Sequence, residues 1–135
     1  MDPAADLDPD LPPYAQLLRL SVSKREGRVH FVMPFHEDVT GRPGFLHGGA
    51  IAALLEFAAY ATLRDRLGAE EAQVRIKPVT VTVDYMRGGR PRDTHAEAVI
   101  ERLGRRLANI DAFAWQENRD APIASARMNV LLERA

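Results

Sequence analysis

Phe45-Leu46-His47-Gly48-Gly49-Ala50-Ile51-Ala52-Ala53-Leu54-Leu55-Glu56-Phe57-Ala58-Ala59-Tyr60-Ala61-Thr62-Leu63 is the stretch that decides how this chain folds. It is apolar almost all round, so the helix it predicts must be enclosed by the rest of the protein. The turn His47-Gly48-Gly49 opens it and Gly68 is placed to stop it, which predicts a helix from about His47 to Leu67. Glu56 stands in its middle. A carboxylate in such surroundings is costly unless paired or used, and desolvation raises its pKa, which suits acid–base or nucleophilic work.

On either side of this helix the pattern is that of strands. Upstream, residues 19–25 and 28–34 form two expected strands joined at the turn-like pair Glu26-Gly27, with Tyr14–Leu20 a short helix or the approach to a strand. Residues 36–46, with Thr40-Gly41 and Pro43-Gly44, read as a loop. Downstream the period becomes two: Val79, Val81 and Val83 alternate with Thr80, Thr82 and Asp84. Gly88-Gly89-Arg90-Pro91 is a turn, 95–103 and 106–116 are strands meeting near Gly104, 117–121 is a turn and 123–132 is the last strand. Runs of strands with one segregated helix point to an α+β fold with an antiparallel sheet. A strongly curved sheet around the helix would enclose it.

The chain has 135 residues, one domain's worth, and 46% hydrophobic content supports a real core. Net charge is −1, which gives no general reason to expect a polyanion partner. With no cysteine, disulfides, thiolate metal sites and cysteine nucleophiles are excluded. Residues 1–13, with four aspartates and four prolines, read as an acidic, Pro-rich flexible leader ahead of a single domain over 14–135. That leader has no apolar segment of the signal-peptide kind, and the apolar run 50–63 is too short to span a bilayer. The expectation is a cytoplasmic protein without nucleic-acid or membrane partners. His30, His36 and His95 are scattered without metal-ligand spacing, so no metal is expected.

Gly44-Phe45-Leu46-His47-Gly48-Gly49-Ala50, with an acid nine residues after the histidine, resembles the hotdog-fold thioesterases of the phenylacetate-degradation (PaaI-like) type. The strand Val81-Thr82-Val83-Asp84-Tyr85-Met86-Arg87 and the segment Glu101-Arg102-Leu103-Gly104-Arg105-Arg106-Leu107-Ala108 are similar to that family's later strands. The resemblance covers roughly 14–133. It implies a hotdog fold, a curved antiparallel β-sheet wrapped around a long central α-helix, paired into a dimer through a continuous sheet and into a dimer of dimers. It implies hydrolysis of an acyl-CoA, aromatic or medium-chain, with CoA as part of the substrate and no cofactor. Glu56 takes the role of general base or nucleophile, and the Gly48 N–H that of oxyanion donor. Gly49 and Tyr85 would line the substrate site, and Arg87, Arg105 and Arg106, with Arg90 nearby, lie at strand ends where arginine suits CoA phosphates.

Elementary geometry adds a condition. Glu56 is eight residues after Gly48, about 12 Å along a helix at ~1.5 Å per residue. One carbonyl cannot touch both groups of the same helix, so if both act they come from different subunits. Structural alternatives stand beside this reading. Glu56 could pair with one of the sixteen arginines, and Gly48-Gly49 could serve close helix packing. His47 is expected as a cap or loop hydrogen-bonder at the mouth of the site rather than a proton shuttle. Two positions depart from the family pattern. The loop before His47 has no Asn, with Asp38 and Thr40 the nearest polar residues, and Pro78 stands where a Ser or Thr is usual. Thr80, two residues on, is expected on the same strand face as Pro78. These departures favour an alternative, a non-catalytic acyl-CoA or acyl-ligand binding protein on the same scaffold. A hydratase fits less well, because His36 and Glu56 are twenty residues apart.

Overall fold

The computed structural model describes residues 11–134. The expected leader falls mostly outside these residues; its end is occupied by a short helix α1 (Pro13–Leu17), with proline at the helix start where a missing N–H costs nothing. The strands are β1 (Ser21–Arg25), β2 (Arg28–Met33), β3 (Arg75–Tyr85), β4 (Thr94–Leu103), β5 (Leu107–Trp115) and β6 (Ala124–Glu133), with the long helix α2 (Gly48–Leu67) between β2 and β3. All pairings are antiparallel, in the order β1-β2-β4-β5-β6-β3. This is the hotdog arrangement.

The sheet closes on α2 because its inner face is lined by small residues. Ala96, Ala108, Ala112, Ala114, Ala124 and Ala126 are buried on β4, β5 and β6 and let the helix come close. Leu54, Leu55, Ala58, Ala59 and Leu63 fill the space from the helix side. A Leu→Ala change at such a site typically costs about 2–5 kcal/mol. β2 is joined to β4 by only three residue pairs, Phe31–Ala96, Val32–His95 and Met33–Thr94, so the β1–β2 hairpin hangs on a short seam.

Two expectations need correction. The helix is not enclosed on every side within one chain. Gly49 is exposed and Gly48, Ala52, Glu56 and Tyr60 are only half-buried, which leaves a stripe open at helical spacing. The second concerns β3, the sheet edge. Its register shifts between Pro78 and Thr80, so Pro78 faces the buried Val130 while Thr80 faces Asn129, across the sheet from it. Thr80 therefore does not stand in for the residue at 78. Val79 lies in the irregularity and is 61% exposed, off the inner face that Val81 and Val83 share. Proline has no N–H for the ladder and is tolerated at an edge and a bulge, which is where it sits.

Candidate active site

The start of α2 is held from three directions. His47 is extended and caps the helix, its Nδ1 accepting from the Gly49 N–H at 2.9 Å. Its own N–H donates to the Val39 carbonyl at 2.8 Å, and its carbonyl accepts from Ala50 and Ile51. Tyr85, at the end of β3, donates its hydroxyl to the Gly48 carbonyl at 2.9 Å. Behind this turn, Gly88 and Gly89 lie tight against Phe45 and Leu46: a Cβ at Gly89 would come 2.5 Å from Leu46 Cδ1, and Leu46 N–H donates to the Gly89 carbonyl at 3.0 Å. Among the described residues, the one N–H of the first turn without a partner is that of Gly48. First-turn N–H groups of a helix carry partial positive charge and suit a developing oxyanion. His47 thus has the capping role expected of it.

Glycine at 48 and glycine at 49 serve different ends. A Cβ at Gly49 would meet the His47 ring at 2.9 Å and disturb the cap. At Gly48 a Cβ would reach only ordinary contact with Tyr85, at 3.5 Å. Packing inside the chain does not demand glycine there.

Glu56 lies two turns on, along the open stripe. None of the arginines pairs with it; its surroundings supply burial and the Tyr60 hydroxyl, one turn further. Burial pushes the Glu56 carboxyl above its usual 4.5, and the hydrogen bond from Tyr60 pulls it partly back. Tyr60 is itself pushed up to about 12, by burial and then by the Glu56 charge, so it stays a donor. The ion-pair alternative for Glu56 finds no cation here. Tyr60 was legible as the i+4 neighbour of the acid, but an aromatic in an apolar run reads first as core.

The arginines separate into two places. Arg87 joins Arg90, Arg92, Gln116 and Asn118 around a hollow of about 170 Å³ at the β3–β4 turn, the Tyr85 and Gly48 end of the sheet. Arg90 packs over Phe45 at 4.6 Å and Arg92 pairs with Glu117. Arg92 and Gln116 had no signal in the sequence reading, because a loop from the far side of β5 brings Gln116 in. Arg105 and Arg106 lie with Arg134 at the β4–β5 turn, the opposite end of those strands. One chain does not bring Arg87 together with them. His36 is half-buried with Nε2 on the Leu18 carbonyl at 3.0 Å, an arrangement that holds the loop.

Comparison with known proteins agrees with this fold. The sequence profile of the thioesterase superfamily matches residues 43–123. A Chromobacterium violaceum protein of known structure is 35% identical, with a TM-score of 0.71 over 93% of this chain and 86% of its own. A Bacillus halodurans protein solved with CoA shares the fold at a TM-score of 0.83 and 19% identity, over 95% and 83%. A Ralstonia eutropha thioesterase described as phenylacetic acid degradation-related does so at 0.72 and 20%, over 90% of each chain. No curated protein sequence matches.

Proposed function

This chain belongs to the thioesterase superfamily and is a thioester hydrolase of that family, and from that premise we propose that it hydrolyses an aromatic or medium-chain acyl-CoA to free acid and CoA, as a PaaI-like enzyme. The observation that carries the proposal is the open stripe of α2, which joins a half-buried Glu56, bonded to Tyr60 but in no ion pair among the described residues, to a Gly48 N–H with no partner among them. The CoA seen with the Bacillus halodurans protein and the phenylacetic acid description of the Ralstonia eutropha protein support the substrate class.

In the proposed reaction the thioester carbonyl oxygen points at the Gly48 N–H. Glu56 takes a proton from water as the water oxygen bonds to the carbonyl carbon. Gly48 N–H and the helix dipole hold the oxyanion. Collapse breaks the C–S bond, and the proton on Glu56 passes to the departing thiolate. Direct attack by Glu56 on the carbonyl carbon is the variant of the same scheme. Neither route calls for a cofactor. Because the two groups are about 12 Å apart on one helix, Glu56 of one subunit serves Gly48 of another. β3 supplies the contact: an eleven-residue edge strand with Val79, Tyr85 and Met86 exposed invites pairing with a second copy. We place CoA phosphates near Arg87, and Arg105 and Arg106 reach the site from the other subunit. The assembly proposed is a homodimer, further paired as a dimer of dimers. Among the described residues no helix is long and apolar enough to cross a membrane, and we place the enzyme in the cytoplasm.

One observation favours a second reading. The inner-face position usually holding a hydroxyl is Pro78, with no hydroxyl moved in to replace it. A non-catalytic acyl-CoA binding protein would tolerate that. A thiol-release assay over aryl-, short-, medium- and long-chain acyl-CoAs separates the two, and the absence of cysteine means the thiol reagent reads only CoA. For the enzyme, Glu56→Ala should lose ~10²–10⁴ in turnover with the fold retained. Tight binding without turnover across the panel would establish the binding protein instead.

A further inference from the structure

His30 and His95 are 65 residues apart in sequence, yet strand register brings them together. Their neighbours Phe31 and Ala96 pair across β2 and β4 and face α2, so His30, His95 and Glu97 occupy the other face of the sheet. There His30 is 2% exposed and Glu97 4% exposed. His30 Nδ1 lies 2.7 Å from Glu97 Oε2, and His30 Nε2 lies 2.9 Å from His95 Nδ1. Glu97 Oε1 also accepts from Arg28 Nε at 3.0 Å and pairs with Arg119 at 2.7 Å. Two arginines hold Glu97 as a carboxylate, so His30 donates from Nδ1. Its Nε2 then accepts, and His95 donates from Nδ1. The last ring nitrogen in the series, Nε2 of His95, is left as an acceptor with no partner among the described residues.

We propose that Glu97, His30 and His95 form a one-proton relay that governs the Arg119 latch and, through it, the 116–122 loop. A proton taken from solvent at His95 Nε2 releases the Nδ1 proton of that ring to His30 Nε2. One proton enters and no other bond changes. His30 becomes a cation donating to Glu97 on one side and to a neutral His95 on the other. Glu97 then faces three cations. Arg28 keeps a second anchor in Glu26 at 3.1 Å, whereas Arg119 has only the face of Trp115, 5.3 Å from its centroid. Arg119 is the partner released.

The surrounding charges set where this happens. Arg25 on β1 and Arg28 on β2 oppose the added proton; Glu26 in the β1–β2 turn, Asp93 ahead of β4 and Asp120 in the loop favour it. Burial first, then His30 and Arg25, hold His95 below its usual 6.5, with Asp93 and Glu97 working the other way. The loop that Arg119 anchors carries Gln116 and Glu117 on its other side, where they wall the Arg87 hollow. The relay asks nothing of thioester chemistry and stands apart from the active-site reading.

Trp115, the sole tryptophan, reports the event directly. It meets the edge of the His30 ring, where the added charge settles, at 5.6 Å and stacks on His95 at 5.7 Å with planes 17° apart, and imidazolium quenches indole emission where neutral imidazole does so far less. In the full chain, emission should fall as pH drops below about 6.5, and His95→Asn should lose the fall. Amide protection at Asp120 and Ala121, whose N–H groups bond to Asn118, should drop over the same span. In Arg119→Met, at an exposed position that leaves the buried relay intact, that protection should be low and flat from the start. A flat wild-type profile, an unchanged fall in His95→Asn, or loop protection that ignores the emission change in wild type would overturn the proposal.

Discussion

Gly48→Pro removes the N–H hydrogen and adds a ring whose Cβ would reach only ordinary contact with Tyr85, at 3.5 Å. Residue 48 is the first of α2, where proline is favoured and no intrahelical bond is lost. His47 before it is extended at φ −69°, ψ 132°, the conformation a residue preceding proline prefers. The variant should fold with an unchanged thermal midpoint and lose ~10²–10³ in turnover, as for removal of one oxyanion donor. Near-normal turnover in a folded Gly48→Pro protein would sink that role. Tyr60 gives a test of Glu56. The proposed base works as a carboxylate, so activity should fall as pH drops through a Glu56 pKa lying above 4.5. The Tyr60 hydrogen bond favours the carboxylate. Tyr60→Phe should therefore move the acid limb of kcat/KM to higher pH, measured against wild type on one substrate; a limb that stays or moves down contradicts the contact.

Among elements, the β1–β2 turn carries a cost that can be removed. Glu26 has φ +52° and Gly27 φ +78°, the paired left-handed geometry of a two-residue hairpin, in which Asn-Gly is the favoured sequence. Glu26→Asn should stabilise the chain by on the order of 1 kcal/mol, less the small worth of an exposed ion pair with Arg28. Thermal unfolding checks the sign. The sequence showed this turn, the order of strands about α2 and the helix stop at Gly68, because each rests on local period or turn chemistry. It did not show the Pro78 irregularity, since alternation of Val79, Val81 and Val83 looks unbroken until a partner strand fixes the register. Nor did it show the contact of His30 with Glu97 and His95, which depends on how β2 meets β4. In the candidate site, the acid, the cap and the bare helix start were legible from type and spacing. The hollow beside Arg87 was not, because Gln116 reaches it only through the fold.

At the scale of the whole molecule, the proposed division of Glu56 and Gly48 between subunits predicts complementation. Glu56→Ala and Gly48→Pro chains should each be nearly inactive alone. Unfolded together in equal amounts and refolded, half the dimers are mixed, and each mixed dimer has one intact site, so about a quarter of wild-type activity should return. No recovery, with mixed dimers shown to form, would place both groups in one subunit's site. Assembly at β3, as proposed, would also leave the other margin of the sheet to fend for itself. There β1 and β2 are bound to each other by five residue pairs but to β4 by three. The seam is therefore the place where native fluctuations concentrate, a hairpin swinging out as a unit while β4, β5 and β6 stay zipped. Hydrogen exchange should show the Phe31–Met33 amides surrendering their protons ahead of those of β5. The protein's least secure joint then lies at the far side of the sheet from β3, so an early stage of unfolding can begin with the dimer contact still made.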